Sequence, residues 1–360
     1  MRKRRGRRGS GGRRARVALS FAAAIVTVAT VVGPCAAQTP TASVKNQVTP
    51  KAKAWTVPRT PWGDPDLEGL WPGTQMMGVS LERPPQLAGR IELSAQELAE
   101  RDVQSRRQAE ADNEEFVVPR ANTGGAGAGT GPPGHWGERG LPQRQTSLVV
   151  DPADGRIPPM LPEARTRVAA LPHNFFYDNS GHGPFDSPED LSIYDRCITR
   201  GVVGSTLPVG YNAGNQIVQG PGFVAIRYEM IHETRIIPLD DRPHVGSRIR
   251  SYMGDARGHW EGTTLVVETG NFNGKTGVTG NGRANYTTDA VHLVERFTRT
   301  DADTIQYQVT IDDPKTWTRS WTIAFPLKRD PGYGMFEYAC HEGNNAMRNI
   351  LSGARAGEGR

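Results

Sequence analysis

The spacing of strand-like runs after residue 190 most constrains the fold. Gln216–Gln219, Phe223–Met230, Arg235–Leu239, Arg248–Met253, Thr264–Glu268, His292–Thr298, Thr304–Ile311, Ser320–Leu327 and Met335–Cys340 are rich in β-branched and aromatic residues. Most are separated by short Gly, Pro and Asp turns, such as Gly220-Pro221-Gly222, Gly254–Gly258 and Arg329–Gly332. Gaps this short leave no room for the crossover helices that parallel strands need, so the pattern predicts a mainly β protein built on an antiparallel meander. Thr304–Ile311 alternates most cleanly. Ile305, Tyr307, Val309 and Ile311 share one face, and Thr304, Gln306, Gln308 and Thr310 share the other. A meander with one dry side closes into a lipocalin-like barrel, the expectation adopted, or stacks as a β-sandwich, its alternative.

The N-terminal part is different in kind. Nine basic residues and no acids precede the apolar run Val17–Val32, which ends at Gly33-Pro34 and the small residues Cys35-Ala36-Ala37. This is the order of a secretion signal. As a helix the run spans about 24 Å, short of a hydrocarbon core of about 30 Å. Residues 1–37 are therefore expected to be a signal peptide cleaved near Ala37, leaving no membrane span and a secreted or periplasmic protein. The pair Arg13-Arg14 fits the twin-arginine route as well as the general one. Of 43 basic and 38 acidic residues the leader holds nine basic ones, so the remainder has 34 basic against 38 acidic. A basic nucleic-acid surface is excluded as an expectation, because the high pI belongs to the leader.

Residues 38–54 read as a polar lead-in and 55–121 as an N-terminal segment with one surface helix, opened by the capping box Ser94/Glu97. Residues 122–135 form a Gly-rich loop, 136–190 an irregular covering segment and 191–360 the antiparallel domain; a short helix is expected near Asn345–Leu351. The glycines of 122–135 follow no strand and precede no helix, so they do not make a phosphate loop. Two cysteines lie beyond the leader, Cys197 and Cys340. In an exported chain they are expected to pair, contributing roughly 4–5 kcal/mol for so long a loop.

No nucleophile elbow, Cys-x-x-Cys or Walker loop is present. His232-Glu233 and His341-Glu342 begin like a zinc-protease motif, but Ile236 and Asn345 stand where the second histidine belongs. No metal and no cofactor are expected. On an unbroken strand, Glu229, Glu233 and Arg235 share one face while Tyr228 and His232 share the other; Glu337 and His341 are co-facial near the last run. If these runs are neighbours, His232, Glu229, Arg235, Glu337, His341 and Glu342 are the candidates for acid–base chemistry, with arginine holding an anion. Tyr228, Tyr338 and Trp260 are the aromatic candidates for ligand contact. The competing reading makes the same residues cross-strand ion pairs on a solvated sheet.

Seven strings carry a resemblance: Pro58-Arg-Thr-Pro-Trp-Gly-Asp-Pro-Asp-Leu-Glu-Gly-Leu-Trp71, Val150-Asp-Pro-Ala-Asp-Gly-Arg-Ile-Pro-Pro159, Arg196-Cys-Ile-Thr-Arg200, Glu229-Met-Ile-His232, Arg235-Ile-Ile-Pro-Leu-Asp240, Gly258-His-Trp-Glu-Gly262 and Tyr338-Ala-Cys-His-Glu-Gly-Asn344. Over most of the mature chain the sequence resembles a widespread family of secreted bacterial proteins that have no established activity. Gly69-Leu-Trp71, echoed by Gly258-His-Trp260, is also similar to the Gly-x-Trp of the first strand of lipocalin-type barrels, which implies a ligand cavity. Three functions stand as expectations. In order they are an exported barrel-like protein binding a small, partly apolar molecule, an acid–base hydrolase, lyase or isomerase, and an envelope interaction module.

Overall fold

Hairpins with short, chemically specified turns organise the chain. In the computed structural model, β3 (Asn215–Gly220) and β4 (Phe223–Tyr228) are joined through Pro221-Gly222, with Gly220 opposite Phe223. Proline sets the first central position of this turn, and Gly222 takes a φ of 80° at the second, which a side chain would oppose. β5 (Thr234–Pro238) returns along β4, and the two-residue β1 (Gly69–Leu70) pairs with the far side of β3, giving a four-stranded sheet ordered β1-β3-β4-β5.

The larger sheet is ordered β2-β12-β11-β10-β7-β6. Its strands are β2 (Val149–Asp151), β6 (Asp255–Glu261), β7 (Thr264–Gly270), β10 (His292–Asp301), β11 (Thr304–Asp312) and β12 (Trp321–Lys328). A small hairpin pairs β8 (Gly277–Thr279) with β9 (Ala284–Tyr286). Every ladder is antiparallel. Four helices complete the described chain: α1 (Ala95–Asp112), α2 (Pro162–Ala169), α3 (Val202–Thr206) and α4 (Ala346–Glu358). The structure describes residues 55–112, 142–171, 185–280, 282 and 284–358. The expected signal peptide, the lead-in and the Gly-rich loop lie outside these residues.

The alternation read in β11 is realised. Ile305, Tyr307, Val309 and Ile311 are fully buried and oppose Leu327, Phe325, Ile323 and Trp321 of β12, also fully buried. Each such side chain contributes roughly 1.5–3 kcal/mol on leaving water. Ile217, Val224, Ile226, Tyr228 and Ile237 of the smaller sheet join the same core, as do Leu67, Trp71, Leu148 and Val149 from the N-terminal half. Residues 54–360 accordingly form one compact unit. Trp71 is fully buried, donates its Nε1–H to the Leu67 carbonyl at 2.9 Å, and has the Arg329 and Arg299 guanidiniums 4.7 and 5.4 Å from its ring centre. Among the described residues no ladder joins β5 to β6 or β2 to another edge.

Several local expectations are corrected. The 227–237 run is not one strand. Ile231 and His232 have φ values of 65° and 46°, and a tight turn over Met230–His232 makes a hairpin of it. Gly254–Gly258 is not a turn, because Asp255–Gly258 begin β6, and the turn falls at Gly262. Gly258 is required by a close approach, since a Cβ there would sit 2.8 Å from both Ile237 Cγ2 and Leu239 Cδ2. Met335–Cys340 carries no ladder and is held instead by side chains and a disulfide. Arg248–Met253 has only the isolated bridge from Ser251 to Phe272. The capping box is present, with Ser94 N–H donating to Glu97 Oε2 at 2.8 Å and Glu97 N–H to Ser94 Oγ at 3.2 Å.

Candidate functional site

One stretch of chain without strands lines four concavities. Glu189–Ile193 and Arg196 face a concavity of about 770 Å³, Arg200, Gly204 and Leu207–Gly210 one of about 520 Å³, and Tyr194, Asp195, Cys197, Tyr211 and Asn212 two of about 370 Å³ each. Local chemistry fixes this stretch. Asp190 Oδ2 accepts the N–H groups of Asp186 and Ser187 at 2.9 Å each, and Ser192 Oγ donates to Asp195 Oδ2 at 2.6 Å. Cys197, with a φ of 55°, bonds to Cys340, 143 residues later, at a Cα separation of 5.9 Å. The expected disulfide is present.

Segment 329–345 is strapped across this stretch, and Glu229 is its main anchor. The carboxylate is 2% exposed and accepts four hydrogen bonds. They come from Tyr333 Oη at 2.6 Å, Asn212 Nδ2 at 2.9 Å, Phe336 N–H at 3.0 Å and Gly214 N–H at 3.1 Å. A side chain at Gly214 would intrude on it, with a Cβ only 2.6 Å from Glu229 Oε2. His232 is exposed and places Nδ1 2.9 Å from the Tyr338 carbonyl oxygen. The Tyr194 hydroxyl lies 3.2 Å from that of Tyr211 and 3.4 Å from that of Tyr338. Burial pushes the Tyr194 and Tyr211 phenols up to about 12 and also raises Tyr338, so all three stay protonated near neutral pH.

Other candidates are placed elsewhere. Arg235 lies between the sheets, donating Nη1–H to Glu295 Oε2 at 2.6 Å and Nη2–H to Glu295 Oε1 at 3.1 Å. The pair is 5% and 0% exposed, and Tyr307 Oη donates to Glu295 Oε1 at 3.1 Å. Burial opposes the Arg235 charge, but Glu295 and Tyr228 outweigh it and the guanidinium pKa is raised. Tyr228 is also core, its phenol raised by burial, and Trp260 is half-buried against the core from β6. His341 and Glu342 are exposed and line none of the four concavities; Glu337 and Tyr338 line one of the smaller ones. Thus the structure brings Glu229 and His232 to the strap that carries Glu337, Tyr338, His341 and Glu342, and leaves Arg235, Tyr228 and Trp260 in or against the core.

Sequence reasoning passed over Arg200, which is 2% exposed and lines the 520 Å³ concavity. Met76, Val79, Leu81, Ile157, Leu207 and Val209 form much of its wall. Their only signal in the sequence is that they fall in three apolar stretches whose meeting is a tertiary fact. In the sequence Glu233 stands out only by parity and as part of the incomplete zinc-protease motif. Its carboxyl accepts the Thr199 hydroxyl, and burial raises its pKa against that hydrogen bond. Among the described residues no three His, Cys, Asp or Glu side chains gather to hold a metal ion, and no helix is long and apolar enough to cross a membrane. No protein-family model, curated protein or solved structure matches the chain.

Proposed function

We propose that this is an exported binding protein for a small, partly apolar molecule, seated in the 520 Å³ concavity. The carrying observation is the composition of that wall. Half-buried apolar side chains open directly onto the hydrophobic core, with Arg200, Thr279 and Asn285 supplying polar contacts at the same site. Apolar concavities with a few fixed polar groups are the common form of small-ligand sites. The disulfide supports export, since such bonds persist in oxidising compartments. The unpaired edges of the two sheets favour a sandwich-like scaffold over a closed barrel.

The acid–base alternative finds less support. His232 faces a backbone carbonyl rather than a carboxylate, and the Glu229 oxygens are taken by four donors, two of them from the strap. Medium-chain fatty acids and arylalkyl alcohols, scored by thermal shift, test the binding reading. Val209→Trp, which fills the concavity from a half-buried position, is expected to abolish any saturable shift while leaving the unliganded melting temperature near that of the parent. Saturable binding that survives Val209→Trp refutes the placement, and the absence of binding by every probe refutes the function.

A further inference from the structure

The 770 Å³ concavity shares no lining residue with the apolar one, and its character is electrostatic. Arg167, Arg196, Arg250, Lys275 and Lys315 converge on it from separate parts of the chain. Three carboxylates also line it, each already engaged. Asp289 accepts Arg250 and, at 3.2 Å, Lys315; Glu189 lies 3.5 Å from Arg196; Asp190 caps the turn at Asp186 and Ser187. The Asp289 carboxyl is held below its usual pKa by Arg250 and then Lys315, so it remains charged near neutrality.

Among the described residues, five cations against three anions leave two positive charges in excess. They belong to identifiable groups. Among the described residues Arg167 donates only to neutral acceptors, Thr316 Oγ1 at 2.9 Å and the Lys315 carbonyl at 3.5 Å. Lys275 is exposed, and among the described residues the ion pairs at this concavity are those of Arg196, Arg250 and Lys315, not of Lys275. The Nε of Arg196 is buried without a hydrogen-bond partner there. This local excess is set in a chain whose post-leader balance is acidic, 34 basic against 38 acidic residues. A recess with a net excess of one sign of charge concentrates counter-ions of the other. Tyr252 and Tyr286 add aromatic surface to the same lining.

We propose that this concavity binds a small organic dianion, a phosphomonoester with a planar or aromatic body. The phosphoryl group sits among Arg167, Arg196 and Lys275, where guanidinium forks match phosphate oxygens, and the organic part lies against Tyr252 and Tyr286.

Isothermal titration of the full mature chain with phenyl phosphate tests this, with inorganic phosphate, citrate and sodium chloride at equal ionic strength as the other arms. Saturable one-to-one binding of phenyl phosphate is expected, weakening as salt rises. Lys275→Glu and Arg167→Glu should each weaken it at least tenfold. Arg106→Glu on α1, the same change of charge outside the concavity, should leave it within about twofold. Circular dichroism melts show whether each variant is folded, and Lys275→Gln provides a milder second probe. Tighter binding of citrate than of phenyl phosphate, lost in the same variants, would keep the anion site but overturn the phosphomonoester. No heat beyond the sodium chloride arm, or equal weakening by Arg106→Glu, overturns the site itself.

Discussion

Removing the Arg235 guanidinium, as in Arg235→Met, is expected to be among the most damaging single changes to the fold. Arg235 on β5 and Glu295 on β10 form a bidentate pair between the two sheets, almost wholly out of water. Without the guanidinium, the Glu295 carboxylate keeps one side-chain donor among those described, Tyr307 Oη. Breaking one half of a buried pair costs roughly 3–5 kcal/mol, because the remaining charge is left uncompensated. Domains of this size lose about 2–4 °C in Tm per kcal/mol, so the variant should melt about 6–20 °C lower. Replacing the pair by apolar groups removes the orphan. The Tyr307 hydroxyl would then lack its acceptor at a cost of about 1–3 kcal/mol, so it is removed as well. The triple change Arg235→Met, Glu295→Leu and Tyr307→Phe should recover most of the loss. Urea denaturation followed by tryptophan fluorescence, with scanning calorimetry, measures both variants. A single variant within about 1 kcal/mol of the parent would refute the reasoning, as would a triple variant no more stable than the single one.

Further outcomes concern the strap and a buried carboxyl. Cys197→Ala with Cys340→Ala should cost roughly 2–5 kcal/mol and speed proteolytic cutting within 329–345, since the side-chain anchors at Glu229 and His232 then act alone. Unchanged cutting would show that those anchors suffice, and alkylation of the parent without reductant would deny the pairing. Because burial raises the Glu233 pKa, the folded chain holds more protons than the unfolded chain above the unfolded carboxylate value of about 4.3. Stability therefore falls as pH rises from there through the folded value. Glu233→Gln should stabilise the protein near pH 7 relative to its effect near pH 4; an effect independent of pH would contradict the buried-charge account.

What lies close together in the chain was legible before the fold was known. The dry face of β11, the Pro221-Gly222 hairpin and the Ser94/Glu97 cap each depend on residues within a few positions of one another, where period and turn chemistry act directly. An antiparallel β architecture and the Cys197–Cys340 pairing followed from such signals and from cysteine count. Packing between distant segments decided the rest. Glu229 became an anchor because the turn at Ile231 and His232 broke the strand and turned its carboxylate toward Tyr333 and Phe336, about a hundred residues on. Arg235 kept a core-facing position and found Glu295 there, so a side chain that fitted an anion pocket on paper closes the interior instead. β6 runs through Gly258 because its residues pair along β7, and the missing side chain there admits Ile237 and Leu239, although its local residues favour a turn. Side-chain period records which face a residue takes, whereas which groups meet across that face depends on chain closure over long distances. The concavities along 189–212 belong wholly to the second kind of information.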